Sequence, residues 1–393
     1  MSGGAKTPRQ LDEQTTHQGI VEVVDLEIGR LGHSLQSLDQ LLHPRREYLA
    51  ETGAPLGGTV EIRRCRHRSR IPEGTRAVWC TSFASTEPPV PLPIIYHPRY
   101  SAPLPSSHRF PMAKFRLLHD LLLERGWIRP DAVQRPVSIA RRDLERIHER
   151  PYHQAFSLGQ LGRAEQRRIG LPSSHALVQR TWLAVGGTLL TARLALRHGI
   201  ASHLAGGTHH AHPGYGSGFC IFNDCAVTAA VLLAEGAVKR LMVVDLDVHQ
   251  GDGTAACFAT DPRVFTLSVH AQSNFPLRKG RSDLDLPLAD GTGDATYLST
   301  IGDRLPDQLD TVRPDLVLYN AGVDPHRNDR LGRLALSDEG LLHRDRLVLD
   351  ACLRRNIPVA TVIGGGYDAL EPLVQRHALI IRSALEQARL YGL

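Results

Sequence analysis

The amino-acid sequence predicts an α/β fold with three layers, α/β/α, in which helices cover both faces of a mostly parallel central sheet. Four apolar runs rich in β-branched residues, at 241–249, 264–270, 315–324 and 357–366, are predicted strands. Helical patterns alternate with them, and continuous apolar strands in this arrangement are typical of a parallel sheet buried on both sides. Each run turns polar or glycine-rich at its C-terminal end, where open parallel sheets bind their ligands.

Four helices are predicted from apolar periodicity and from residues that favour helix ends. Serine caps are expected to begin the helices near 173 and 337, because a serine hydroxyl accepts amide hydrogen bonds. Gly236 is expected to end the helix that begins at Asp224, because glycine tolerates a left-handed backbone. The predicted helices are Ser173–Arg197, Asp224–Glu235, Ser337–Arg355, with Ser337 as the cap, and Glu371–Tyr391.

Composition limits the classes of function. The 393 residues are 42% hydrophobic, which is enough for a large core, and the net charge of +5 comes almost entirely from arginines scattered among acids. We therefore expect no nucleic-acid partner. Residues 1–88 carry no net charge and differ in character from the rest, so they are predicted to form an N-terminal extension of unknown role before a catalytic domain at 89–393.

The cysteines and the N-terminus indicate a compartment. Six cysteines show neither CxxC pairs nor zinc-finger spacing, and several lie in apolar segments, as expected for free thiols in a reducing environment. The first twenty residues lack the apolar centre of a signal peptide, and no apolar run is long enough to span a membrane. The predicted localisation is cytoplasmic.

A metal site is predicted at the end of the first strand. Asp245, Asp247 and His249 lie at positions i, i+2 and i+4, which would place them on one face of a continuing strand. Carboxylates so close together repel unless a cation lies between them, and imidazole is a common metal ligand. Asp324, at the end of a neighbouring strand, is the candidate third ligand. Two carboxylates and one imidazole leave coordination positions open, which is typical of a catalytic metal.

Acid–base groups accompany this site. His209 and His210 lie in the glycine-rich segment GGTHHAHPGYGSGFC, and one of them is a candidate general base and acid. Asp245 and Asp252 are candidates to contact these imidazoles and raise their basicity. Tyr367 follows three glycines at a fourth strand end, where its phenol is a candidate hydrogen-bond donor to an oxyanion.

Taken together, these motifs resemble a known family. GGTHHAH with GSGFCIFND, VVDLDVHQGDGT, NAGVDPHRNDRLGRLALSDEG and GGGYD, in this order, closely resemble the zinc-dependent histone deacetylases. The resemblance runs from Ile94 to the C-terminus. The segments HQG and NDRLGRLALS are similar to class IV, the group of histone deacetylase 11 and its bacterial relatives.

The resemblance implies the arginase/deacetylase type of fold and removal of an acyl group from lysine by a zinc enzyme. The resemblance implies that Asp247, His249 and Asp324 bind the zinc ion. It implies acid–base catalysis by His210 beside His209, with Asp245 and Asp252 as the carboxylates that contact them, and polarisation of the substrate carbonyl by Tyr367. It also implies an acyl-lysine tunnel at Gly218, Phe219 and Phe275 and a potassium site at Asp245, Asp247, His249 and Ser268. Fe²⁺ or Co²⁺ also suits these ligands. Likeness to class IV favours a long fatty acyl chain.

One departure from the family pattern leaves the substrate open. Class I relatives hold the substrate backbone with an aspartate at the rim, whereas Gly170 stands near that place here. The expected substrate is therefore an acylated lysine of a protein or peptide, or alternatively a small acylated amine such as an acetylpolyamine. Two further hypotheses are a two-metal ureohydrolase, which needs more bridging carboxylates, and a non-catalytic acyl-lysine scaffold. The sequence does not indicate the oligomeric state.

Overall fold

The computed structural model describes residues 92–393, so the predicted extension at 1–88 lies outside the described residues. The described chain contains eight strands: β1 Ile94–Ile95, β2 Val133–Gln134, β3 Ile200–His203, β4 Leu241–Asp245, β5 Val264–Ala271, β6 Leu284–Leu288, β7 Leu316–Asn320 and β8 Val359–Val362. They form one sheet in the order β2-β1-β3-β8-β7-β4-β5-β6, and every neighbouring pair is parallel.

Helices cover this sheet, and the predicted three-layer α/β/α fold is confirmed. They are α1 Lys114–Glu124, α2 Arg141–Leu144, α3 Arg150–Ser157, α4 Arg163–Ile169, α5 His175–His198, α6 Asp224–Ala234, α7 Asp252–Phe258, α8 Asp294–Val312, α9 Asp338–Leu353 and α10 Leu370–Tyr391. Helices α5 and α6 pack together in one group, whereas α1, α8, α9 and α10 form a second. Across residues 92–393, no helix combines the length and the hydropathy needed to cross a bilayer.

The four predicted helices are confirmed to within a few residues, and so are two of the caps. The Ser174 hydroxyl accepts the amide N–H of Leu177 at 3.1 Å, and the Ser337 hydroxyl accepts that of Gly340 at 3.0 Å. The four predicted strands are present as β4, β5, β7 and β8. The sequence prediction missed the other four strands, two of which are only two residues long.

The predicted strand 241–249 is too long, and the argument that Asp245, Asp247 and His249 share one strand face is wrong. Strand β4 ends at Asp245. Its Oδ1 accepts the Asp247 amide N–H at 3.2 Å, and Asp247 Oδ1 accepts that of His249 at 3.0 Å. Aspartates that bond the amide two residues ahead favour turns over strands. The predicted strand 315–324 likewise ends early, at Asn320.

A buried arginine supports the loops that follow β4 and β7. The Arg344 side chain on α9 is fully buried, and its Nη1 donates to the carbonyl oxygens of Gly322 at 2.6 Å and Leu246 at 3.3 Å. Its Nε and Nη2 donate to Asp345 Oδ1 at 3.0 and 2.8 Å, and Tyr319 donates its hydroxyl to the same oxygen. Arg344 therefore holds two loops that carry predicted site residues against helix α9 through hydrogen bonds.

Removing this guanidinium should destabilise the fold strongly. We expect Arg344→Met to lower the free energy of unfolding by about 3–5 kcal/mol, because Asp345 would become a buried charge without its partner. Arg346→Met is the matched control, since its ion pair with Glu386 is one-third exposed on both sides and exposed pairs contribute about 0–1 kcal/mol. Urea denaturation of both variants measures the difference; equal losses would contradict this role for Arg344.

Candidate active site

A cavity of about 260 Å³ opens where several parallel strands end. Segments that follow β3, β4, β5, β7 and β8 form much of its wall, so that residues far apart in the sequence meet at one edge of the sheet. Arg109 and the end of α4 complete the wall. The residues that line it are Arg109, Arg167, Arg168, Ile169, Gly170, His210, Gly218, Phe219, His249, Asn274, Phe275, Leu331 and Tyr367.

Three buried side chains at the cavity form a cluster suited to a metal ion. One potential ligand atom from each of Asp247, His249 and Asp324 lies within 4.8 Å of the other two. Backbone amides hold the carboxylates in place: Gly365 donates to Asp247 Oδ2 at 2.6 Å, and Val248 donates to Asp324 Oδ1 at 2.8 Å. The other oxygen of Asp324 is buried and accepts no hydrogen bond from a described group. Such an oxygen fits a cation ligand.

Electrostatics at this cluster favour a bound cation. His249 Nδ1 lies 3.0 Å from Asp247 Oδ1 and 3.2 Å from Asp324 Oδ2. Burial lowers the pKa of His249, but the two carboxylates outweigh it and raise the pKa to about 10. Burial and the charge of Asp247 raise the pKa of Asp324 to about 7. Crowded carboxylates contribute to both shifts, and a divalent cation would relieve the repulsion between them.

The paired histidines occupy two different electrostatic environments. His209 Nδ1 lies 2.6 Å from Asp245 Oδ2, and His210 Nδ1 lies 2.6 Å from Asp252 Oδ1. Burial opposes charge on His209, but Asp245 and Asp247 raise its pKa to about 9. Burial and the positive charge of His209 lower the pKa of His210 to about 3. The adjacent imidazoles therefore differ in charge near neutral pH.

This difference defines what each ring can do. A neutral His210 that donates its Nδ1 proton to Asp252 keeps a lone pair on Nε2, on the ring that lines the cavity. Environments that push the pKa values of neighbouring groups apart are typical of acid–base catalysts. Asp252 is itself fixed from its other side, because His212 Nε2 lies 2.9 Å from its Oδ2.

Tyr367 stands beside the metal-ligand cluster on the loop after β8. Its amide donates to Asp329 Oδ2 at 2.7 Å, and its ring centroid lies 6.2 Å from that of His249. Burial and nearby carboxylates raise the pKa of the Tyr367 phenol well above its usual value. The phenol therefore stays protonated and can act as a hydrogen-bond donor in the cavity.

The buried Lys114 on α1 hydrogen-bonds the same loop, after β8. Its ammonium donates to the carbonyl oxygen of Gly364 at 3.1 Å and lies 5.9 Å from the centroid of the Tyr367 ring. Burial lowers its pKa to about 8, whereas Asp324 and Asp247 oppose this shift. Sequence reasoning missed Lys114; the available signal was a lysine, one of four in the chain, within the apolar stretch FPMAKFRLL.

Gly218 and Phe219 form a tight turn at the cavity wall. Their φ angles are +52° and +66°, and the amides of Ser217 and Cys220 each donate to the other's carbonyl, at 2.9 and 2.8 Å. Two consecutive positive φ angles are typical of two-residue hairpins. A Cβ added at Gly218 would lie 2.8 Å from His210 Cδ2, so glycine is required for the turn to approach the imidazole.

The structure brings the predicted site residues together. His210, His249 and Tyr367 line one cavity, and Gly218, Phe219 and Phe275 form part of its wall. The remaining predicted residues contact these histidines or each other: His209 pairs with Asp245, Asp252 with His210, and Asp247 and Asp324 with His249. Asp245 itself contacts His209 and lies outside the three-residue ligand cluster. Ser268 pairs with Asp245 across β4 and β5, but the potassium site stays a prediction. Sequence reasoning also missed Asn320, whose Nδ2 donates to Asp245 Oδ1 at 2.8 Å.

The fold is α/β, and its site combines acid–base groups with a cluster of metal-ligand type. A match to the histone deacetylase domain covers residues 108–382, and the chain belongs to that family. The domain of HDA15 has a similar crystal structure, with a TM-score of 0.64 and 20% identity over 76% of this chain and 91% of that one. This likeness supports the fold alone.

Three curated relatives extend the comparison. An uncharacterised protein of Picosynechococcus is 56% identical over 293 residues, which are 74% of this chain and 98% of that protein. Histone deacetylase 2 of Arabidopsis thaliana is 29% identical over 73% of this chain and 75% of its own length. Acetoin utilization protein AcuC of Staphylococcus aureus is 29% identical over 71% and 78%. These similarities support a hydrolase of the deacetylase type, in a family that is typically metal-dependent.

Metal binding can be tested without measuring activity. We expect Asp324→Asn to weaken Zn²⁺ binding by more than about 100-fold, because loss of a ligand should exceed the roughly 10–100-fold effect of an outer-sphere partner. Asparagine retains the oxygen that accepts the Val248 amide, so the loop should persist. Competition with a chromophoric chelator gives the affinity, and Asp290→Asn, on the surface, is the control. Unchanged affinity in Asp324→Asn would remove it from the ligand set.

Proposed function

We propose that this protein is a metal-dependent amidohydrolase that removes an acetyl or longer acyl group from lysine side chains. One observation carries the proposal: an acid–base pair (His210 and Asp252), a protonated phenol (Tyr367) and a cluster of metal-ligand type surround a single cavity. Amide hydrolysis needs these three components, namely proton transfer, stabilisation of an oxyanion and activation of water.

Asp247, His249 and Asp324 would hold the metal, and we propose Zn²⁺. A divalent ion there supplies Lewis-acid chemistry, which polarises an amide carbonyl and makes water more acidic. Fe²⁺ and Co²⁺ suit the same imidazole and carboxylate donors. Within residues 92–393, no second cluster of three such donors is found, which argues against the two-metal ureohydrolase hypothesis.

His210 acts as the general base and then as the general acid. Its Nε2 takes a proton from the attacking water, and the resulting imidazolium forms an ion pair with Asp252 at 2.6 Å. When the carbon–nitrogen bond breaks, the same nitrogen returns the proton to the leaving amine. His209, held as a cation by Asp245, stabilises negative charge in the cavity and favours return of the proton from His210.

Tyr367 and the cavity walls act on the substrate itself. The phenol donates a hydrogen bond to the carbonyl oxygen as negative charge develops on it. Phe219 and Phe275 offer aromatic surfaces for the methylene chain of the acylated lysine, and Gly218 lets the wall approach His210.

We further propose that the protein belongs to class IV and is located in the cytoplasm. The sequence motifs support the class, and the free thiols of the described cysteines support the location.

Hydrolysis of acyl-lysine peptides tests this proposal. With acetyl, butyryl, octanoyl and myristoyl substrates, we expect His210→Ala to lower kcat by about 10²–10⁴-fold and Tyr367→Phe to lower it by about 10²–10³-fold. His343→Ala and Tyr391→Phe serve as controls away from the cavity. The deacylated peptide and the released carboxylic acid are measured with zinc-loaded protein, and the metal content of every variant is checked.

Three results would redirect the assignment. No hydrolysis of any acyl-lysine by metal-loaded protein would refute the lysine substrate, and acetylpolyamines would be tested next. Binding of acylated peptides without turnover of either class would favour the non-catalytic scaffold. Turnover that survives both substitutions would refute the roles given to His210 and Tyr367.

A further inference from the structure

The entrance of the cavity is strongly positive. Arg109, Arg167 and Arg168 line it, and among the described residues no aspartate or glutamate does so. All three arginines are exposed, and none forms an ion pair with a carboxylate of residues 92–393. Elsewhere on the described surface, many arginines are paired with acids, as Arg116 is with Asp120. The entrance therefore concentrates guanidinium groups whose charge the described chain does not neutralise.

Two of these arginines lie on a helix that is bonded to the cavity wall. The carbonyl oxygens of Arg168 and Ile169, at the end of α4, accept the amide N–H groups of Gly218 at 3.1 Å and Phe219 at 2.8 Å. These are the two residues of the tight turn beside His210. The backbone that carries Arg167 and Arg168 is therefore held at a fixed distance from the reacting centre.

Aromatic contacts position two of the three guanidinium groups. The Cζ atom of Arg109 lies 5.4 Å from the centroid of the Phe219 ring, and that of Arg168 lies 4.6 Å from the centroid of Tyr215. A cation over an aromatic face is stabilised while its N–H groups stay free to bind other partners. Gly170, which follows α4 and also lines the entrance, adds no side chain to cover them.

We propose that Arg109, Arg167 and Arg168 form an anion subsite that selects acylated lysines carrying a carboxylate close to the scissile amide. This proposal rests on the proposed function and names its substrate class. Guanidinium groups bind carboxylates through paired, charge-assisted hydrogen bonds. The carboxylate belongs either to a free acyl-amino acid or to an acidic residue beside the acyl-lysine in a peptide. Polyamines and acyl-lysines among basic residues meet like charge at the entrance and bind less well.

Matched substrates test the subsite on the full-length, zinc-loaded protein. One pair is Nα-acetyl-Nε-acyl-lysine as the free acid and as the carboxamide; the other is an acyl-lysine tripeptide flanked by glutamate or by glutamine. We expect kcat/KM to be about 10-fold higher for the charged member of one pair or both. The preferred pair shows the source of the carboxylate. The ratio of kcat/KM for the charged and neutral substrates should fall as the salt concentration rises, because salt screens exposed charges.

Variants separate this subsite from general surface charge. Arg167→Gln with Arg168→Gln should bring the charged-to-neutral ratio of kcat/KM close to one, and lysine at both positions should restore part of it. Arg304→Gln, an exposed arginine on α8, should leave the ratio unchanged. A ratio near one in the unmodified protein, or a ratio that survives the double glutamine variant, would overturn the proposal even if hydrolysis itself is efficient.

A binding measurement keeps the two proposals distinct. The dissociation constants of the same four compounds are measured with His210→Ala, which should bind substrate without turning it over. If no compound is hydrolysed by the unmodified protein, the proposed function fails, and a preference for the charged compounds in binding would still support the subsite. Equal dissociation constants within both pairs would refute the subsite.

Discussion

Negative charge buried at the carboxyl ends of neighbouring parallel strands is the constraint on which the rest of this structure depends. Asp245, Asp247 and Asp324 are each at most 3% exposed, and carboxylates removed from water need hydrogen bonds or opposite charge. The chain meets this need in three ways. Its own loop amides donate to several of the oxygens, the imidazole of His209 pairs with Asp245, and the gap between Asp247, His249 and Asp324 suits a cation.

Two buried cations extend this arrangement to the backbone. Arg344 donates to carbonyl oxygens of the loops after β4 and β7, and Lys114 donates to a carbonyl oxygen of the loop after β8. These three loops carry the ligand cluster and Tyr367. Because their carbonyl groups point toward buried cations, amides such as that of Gly365 are free to bond the carboxylates. The helix layer thus helps to set the geometry of the cavity.

The sequence predicted the fold, and it named residues that the structure brings together, because both depend on local patterns. Long apolar strands, serine caps and polar residues at strand ends are visible within windows of about ten residues. The features that the sequence did not predict depend on contacts between distant residues, on elements too short to show a pattern, or on side chains that compete with the strand for backbone hydrogen bonds. Strand β1 has two residues, too few for any periodicity. The end of β4 is decided by Asp245 bonding a nearby amide, and the contact of Lys114 with Gly364 spans 250 positions.

The turn at Gly218 and Phe219 also restricts how this protein can evolve. A left-handed backbone disfavours β-branched residues, and space beside His210 excludes any side chain at the glycine. Few substitutions on this wall can therefore alter the width of the cavity. Phe275 does not have a positive φ and is 38% exposed, so its position tolerates a wider range of side chains. Divergence in the shape of the cavity among relatives should accumulate on the Phe275 side, where mutation is least costly to the fold.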